Sequence, residues 1–166
     1  MHSEMTESDN IREFDRLIRQ NNGIITKICY YFSSNATDFK DLRQEILINV
    51  WRGLDSFRHA SKPSTWIYRV AFNTCVSFRR KYHPRQADIS IDDITDVPCT
   101  DQDILSKYNE MHRLISRLNA ADKSLILMWL DEMSYEDIAE VSGLNRNTLA
   151  GRLKRIKEKI VKYSNQ

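Results

Sequence analysis

The stretch Ser134–Ile160, SYEDIAEVSGLNRNTLAGRLKRIKEKI, decides the fold. Ser134 followed by Asp137 has the spacing of a capping box, in which the two residues satisfy amide donors at a helix start. Ile138, Ala139 and Val141 give that short helix an apolar face. Ser142-Gly143-Leu144 ends it, because Gly143 can take the positive φ that a sharp turn requires. Asn145 then caps a second helix, in which Leu149, Leu153, Ile156 and Ile160 recur at three- and four-residue steps as a buried stripe. Arg146, Asn147, Ala150, Gly151 and Lys154 fall on other faces. Two helices joined by a glycine turn, with Ala139 small enough for their crossing, describe a helix-turn-helix whose second helix fits a DNA major groove. From Asn145 onward seven basic residues (Arg146, Arg152, Lys154, Arg155, Lys157, Lys159, Lys162) oppose one acid, Glu158, a local charge of +6. Phosphate is the natural partner of such a segment. The same spacing also fits a plain helical hairpin with a solvated basic face.

Composition bounds the rest. With 4 Gly and 3 Pro in 166 residues, turns are few and the chain is expected to be all-α. The net charge of +2 is too mild to imply nucleic acid by itself; its distribution carries the argument. No apolar run approaches the ~18 residues that cross a bilayer, and the polar start MHSEMTESDN has no signal-peptide core, so a cytoplasmic protein without membrane insertion is expected. Cys29, Cys75 and Cys99 lack paired CxxC spacing, and His2, His59, His83 and His112 are scattered. No metal, cofactor or catalytic residue is therefore expected, and the chain does not read as an enzyme.

Upstream of the motif, Ile104 to Leu118 and Ala120 to Leu130 read as two helices that form its core. Before them, residues 84–103 carry six aspartates against Arg85, a charge of −5, together with Pro84 and Pro98. That composition predicts a flexible acidic linker between two small helical domains. The first domain begins with helical spacing from Glu7 to Phe32, as one helix or two around Gly23. A second helix, from Asp38 or Asp41 to Leu54, buries Leu42, Ile46 and Val50 and leaves Asp41, Gln44, Glu45, Ile48 and Arg52 largely outside, a patch that fits a basic partner helix and at least as well a plain solvated face. The Ser- and Pro-rich loop from Phe57 to Ser64 leads into a third helix, to about Lys81. Its outer face carries Arg69, Asn73, Ser77 and Arg80, chemistry that holds unpaired bases and backbone. Trp66 stays divided between core support and DNA contact.

In kind, order and spacing, DLRQEILINVW (Asp41–Trp51), SFRHASKPSTWIYRVAFN (Ser56–Asn73), Arg79-Arg80-Lys81 and LNAADKSLILMWLDEMSYEDIAEVSGLNRNTLAGRLKRI (Leu118–Ile156) resemble segments of the extracytoplasmic-function sigma factors, a group of the bacterial sigma-70 superfamily. The resemblance implies a region 2-like domain over residues 1–83, a linker over 84–103 and a region 4-like domain over 104–166. It implies that Asp41, Gln44, Glu45 and Ile48 bind core RNA polymerase. By the same resemblance Arg58, His59, Ser61, Lys62, Trp66, Arg69, Asn73 and Arg80 hold the unpaired minus-10 strand. Asn145, Arg146, Asn147, Thr148, Gly151, Arg152, Lys154 and Arg155 would bind the minus-35 duplex. Partners would be core polymerase, promoter DNA and a sequestering anti-sigma factor. Strand opening needs no covalent step, since binding of unstacked bases can offset lost pairing. Ala150 and Gly151 depart from the family, which more often has Lys and Ser there. Gly151 costs the helix about 1 kcal/mol relative to Ala and lets its backbone approach DNA closely. Two other readings are a two-domain helix-turn-helix regulator that never joins core polymerase, and a helical interaction protein.

Overall fold

Most helix starts among the described residues are set by a polar side chain one residue ahead of the helix. The computed structural model describes residues 6–57, 59–82 and 102–166, with backbone alone over 102–108. Among these residues there are seven α-helices and no strand. Thr6 and Asp9 form a reciprocal capping box that opens α1 (Glu7–Phe32), which runs unbroken through Gly23. Asn35 accepts from Asp38 N at 2.9 Å and opens α2 (Ala36–Gly53). A 3₁₀ turn, Leu54–Ser56, and a short loop lead to α3 (Pro63–Tyr82), whose first residue has φ preset for a helix. The expected linker lies mostly outside the described residues; α4 (Gln102–Ser116) already includes its last two positions, Gln102 and Asp103.

In the second half, Asn119 caps α5 (Ala120–Leu130). Ser134 caps α6 (Tyr135–Ser142), which ends at Gly143 with φ of 74°. Asn145 then caps α7 (Arg146–Ser164) by accepting from Thr148 N at 2.9 Å. Only half of the expected box at Ser134 forms. Its hydroxyl accepts from Asp137 N at 3.1 Å, whereas the Asp137 carboxylate turns to Lys62.

In the first domain α1, α2 and α3 pack on one another around Leu17, Ile25, Ile28, Leu42, Ile46, Val50, Ile67 and Ala71, each at most 1% exposed. Asn49 Nδ2 donates to Thr74 Oγ1 at 2.9 Å and fixes the rotation of α2 against α3. In the second domain α7 lays Leu149, Leu153 and Ile156 against α4, α5 and α6. Truncating one such core side chain costs about 2–5 kcal/mol. The two cores join into one buried cluster, with α4 against α1 and α6 against α3.

Candidate nucleic-acid interface

The loop before α3 is held by aromatic stacking. Phe57 and Trp66 lie face to face, centroids 4.6 Å apart at 27°, and both are buried. The indole reaches that place because Gly53 has no side chain; a Cβ there would stand 3.1 Å from Trp66 Cζ2. Trp66 is thus core support beneath the loop, one of the two roles expected for it. His59 sits in the left-handed region (φ 54°), exposed, with its ring 4.5 Å from that of Phe57. Arg58 lies outside the described residues. Ser61 is half-buried, and Lys62, Asn73 and Arg80 are exposed, with the half-exposed Arg69 completing a face along α3.

That face is not wholly open. Lys62 Nζ stands 3.2 Å from Asp137 Oδ2. Arg69 Nη2 donates both to Glu140 Oε1 and to the Glu140 main-chain carbonyl, each at 3.2 Å. On α2 the inner stripe Leu42, Ile46 and Val50 is buried as expected, leaving Asp41 and Gln44 exposed and Glu45 and Ile48 half-buried.

On α7 the stripe of buried leucines and isoleucine turns Arg146, Asn147, Thr148, Gly151, Lys154 and Arg155 outward, all exposed. Asn145 is also exposed, but its side-chain oxygen is occupied by the cap. Arg146 pairs with Glu136 at 2.9 Å in full view of solvent. Arg152, expected as a phosphate contact, is half-buried and engaged within the chain. Its Nε donates to Asp122 Oδ1 at 2.8 Å, and Lys159 Nζ reaches the other oxygen at 3.3 Å. Asp122 is 4% exposed and would be costly to bury alone; the two cations compensate it and pin α7 to the first turn of α5. Spacing on α7 alone does not show this partner 30 residues away.

Sequence reading also missed Lys123 and His112, which lie where the domains meet. Lys123 is 3% exposed, donates to Tyr31 O at 3.3 Å and stands 5.0 Å above the Phe32 ring. Burial, reinforced by Arg79, pushes its ammonium down to about 8. His112 Nε2 donates to Tyr30 O at 3.0 Å, with its ring stacked on Tyr31. Burial holds its pKa below the usual histidine range, partly offset by the carbonyl bond. Burial also raises the Cys29 thiol to about 12 and the Cys75 thiol well above its usual value, which keeps both protonated. Among the described residues no cluster of His, Cys, Asp and Glu is placed to hold a metal, and no helix is long and apolar enough to cross a membrane.

Two family profiles match, in order: Sigma-70 region 2 over residues 17–85 and Sigma-70, region 4 over residues 108–160. The ECF RNA polymerase sigma-E factor of Haemophilus influenzae is 29% identical, over 95% of this chain and 90% of its own length. RNA polymerase sigma-H factor of Pseudomonas aeruginosa is also 29% identical, over 91% of this chain and 86% of its own. Among solved structures, the sigma factor RpoE in complex with the anti-sigma factor NepR, from Bartonella quintana, superposes with a TM-score of 0.71 at 21% identity, covering 90% of this chain and 94% of that one. CnrH in complex with the cytosolic domain of CnrY gives 0.69 at 19% identity, covering 95% and 91%. A buried three-helix domain, a helix-turn-helix domain and two profile matches in the same order lead to one conclusion: the chain belongs to the extracytoplasmic-function sigma factors of the sigma-70 family.

Proposed function

We propose that this chain joins core RNA polymerase in the cytoplasm and directs it to promoters, with three surfaces sharing the work. Asp41, Gln44, Glu45 and Ile48 on α2 meet the polymerase. His59, Ser61, Lys62, Arg69, Asn73 and Arg80 hold the unpaired minus-10 strand, with Arg58 in the same loop. Asn145, Arg146, Asn147, Thr148, Gly151, Lys154 and Arg155 meet the minus-35 duplex. Residues 1–83 and 104–166 serve as the two promoter-binding domains. The chain acts by binding, with no catalytic residue of its own. Its partner in the uninduced state is an anti-sigma factor, as in the superposed RpoE complex with NepR.

The observation that carries this reading is the outward half of α7, where every charged side chain from Arg146 to Arg155 is basic. Such a face suits phosphate, and Asn147 adds an amide able to pair with a base edge. Transcription reconstituted with core enzyme, with thymines of the melted region mapped by permanganate, tests the division. Asn73→Ala with Arg80→Ala is expected to reduce permanganate reactivity while duplex retention persists. Arg155→Ala is expected to weaken duplex retention first. Equal loss of both signals in both variants would overturn the division, and failure to associate with core enzyme at low salt would overturn the whole reading.

A further inference from the structure

His59, in the loop assigned above to the unpaired strand, is held in a backbone conformation that side chains rarely adopt, with φ of 54°. Two contacts keep it there. From beneath, its ring lies 4.5 Å from that of Phe57, which is stacked on the buried Trp66. From the side, its Nε2 stands 3.8 Å from Oε1 of Glu13, on α1. We propose that Glu13 is a positioning residue for strand opening: it fixes His59 in the orientation that meets the unpaired strand, without touching DNA itself. This rests on the reading of His59 as a strand contact.

Glu13 is suited to this because it is itself fixed. Arg16 grips both of its oxygens, Nε donating to Oε2 at 2.9 Å and Nη2 to Oε1 at 2.6 Å, a two-pronged geometry that sets direction as well as distance. The Arg16 bond keeps the carboxyl below the usual glutamate range, although partial burial opposes it. The Glu13 side chain is 17% exposed against 59% for that of His59, so the acid lies under the loop and the imidazole faces outward. A bare carboxylate beneath a strand-binding loop would repel phosphate; paired with Arg16, it adds no net charge. One turn earlier on α1, Asn10 Nδ2 donates to Asp55 Oδ1 at 3.2 Å and ties the same helix to the 3₁₀ turn that leads into the loop. A loop ordered in advance has less freedom to lose when it binds a strand.

The test is a double-mutant cycle on open complexes of core enzyme and the full chain, read as permanganate reactivity of melted thymines. Glu13→Gln keeps the size of the side chain and removes its charge. His59→Gly accepts the same backbone conformation without strain and removes the ring. Glu13→Gln is expected to lower opening about two- to fivefold in the parent, the range a partly exposed pair supplies, and to have no effect once His59→Gly is present. A residue that only supports α1 would lower opening equally in both backgrounds. That equality overturns the proposal, as does opening by Glu13→Gln at or above the parent level. His59→Gly alone separates the two failures. If it lowers opening while Glu13→Gln does not, or while the two losses add, positioning alone is wrong. If it leaves opening unchanged, the reading of His59 as a strand contact falls and the proposal falls with it.

Discussion

Lys123 Nζ donates to the carbonyl oxygen of Tyr31 at 3.3 Å, joining the first turn of α5 to the end of α1 with an ammonium that is almost wholly buried. Its pKa is pushed down to about 8 from an ordinary 10.5. Below pH 8 the folded chain therefore carries the full cost of a buried charge. Between about 8 and 10.5 the unfolded chain holds this proton more tightly, so the contribution to stability rises with pH. Lys123→Met is expected to be more stable than the parent at neutral pH, by on the order of 2 kcal/mol after the lost carbonyl bond is counted. Urea titrations at several pH values are expected to show that advantage shrinking across the same window.

His112 gives a response of the same sign in a more acidic window. Its folded pKa lies below the ordinary 6.5, chiefly through burial, so on acidification the unfolded chain takes up this proton first. Stability is expected to fall as pH drops below about 6.5. His112→Gln is expected to have a flatter melting temperature profile between pH 7 and 5.

Arg152 and Arg155 separate packing from recognition on one helix. Arg152→Ala leaves a nearly buried carboxylate with Lys159 alone and is expected to destabilise the chain by about 1–3 kcal/mol. Arg155→Ala, on the exposed face, is expected to change stability by no more than ~0.5 kcal/mol. Thermal melts of the two variants check the contrast.

Gly151 has nothing within 4 Å of where a Cβ would stand. Gly151→Ala is therefore expected to stabilise α7 by about 0.5–1 kcal/mol. A loss of duplex binding in a variant that melts higher would place DNA against the bare helix backbone there.

The helix-turn-helix was legible because its signals are local. Ser134, Gly143 and Asn145 each act within four residues, and the stripe Leu149-Leu153-Ile156 needs only helical geometry. The same locality explains the rest. Asp122-Lys123 reads along the chain as an ordinary surface pair, yet the aspartate meets α7 and the lysine meets α1. Trp66 was ambiguous because its partners, Phe57 and Gly53, lie on a different element. Nothing along the sequence announces that Asp137 would leave its own helix cap for Lys62.

The Asp122 pin also sets how strongly salt should govern this chain on duplex DNA. Of the seven cations from Arg146 to Lys162, Arg152 and Lys159 are bound to Asp122, and Lys157 lies 4.5 Å over the Trp129 ring. Lys162 stands in the last turn of α7, leaving Arg146, Lys154 and Arg155 on the outward half. Each phosphate neutralised contributes about −0.9 to the slope of log affinity against log salt, so the second domain should give a slope near −3, about half of what its +6 charge suggests. A helix that uses part of its charge internally keeps more of its grip on DNA as ionic strength rises.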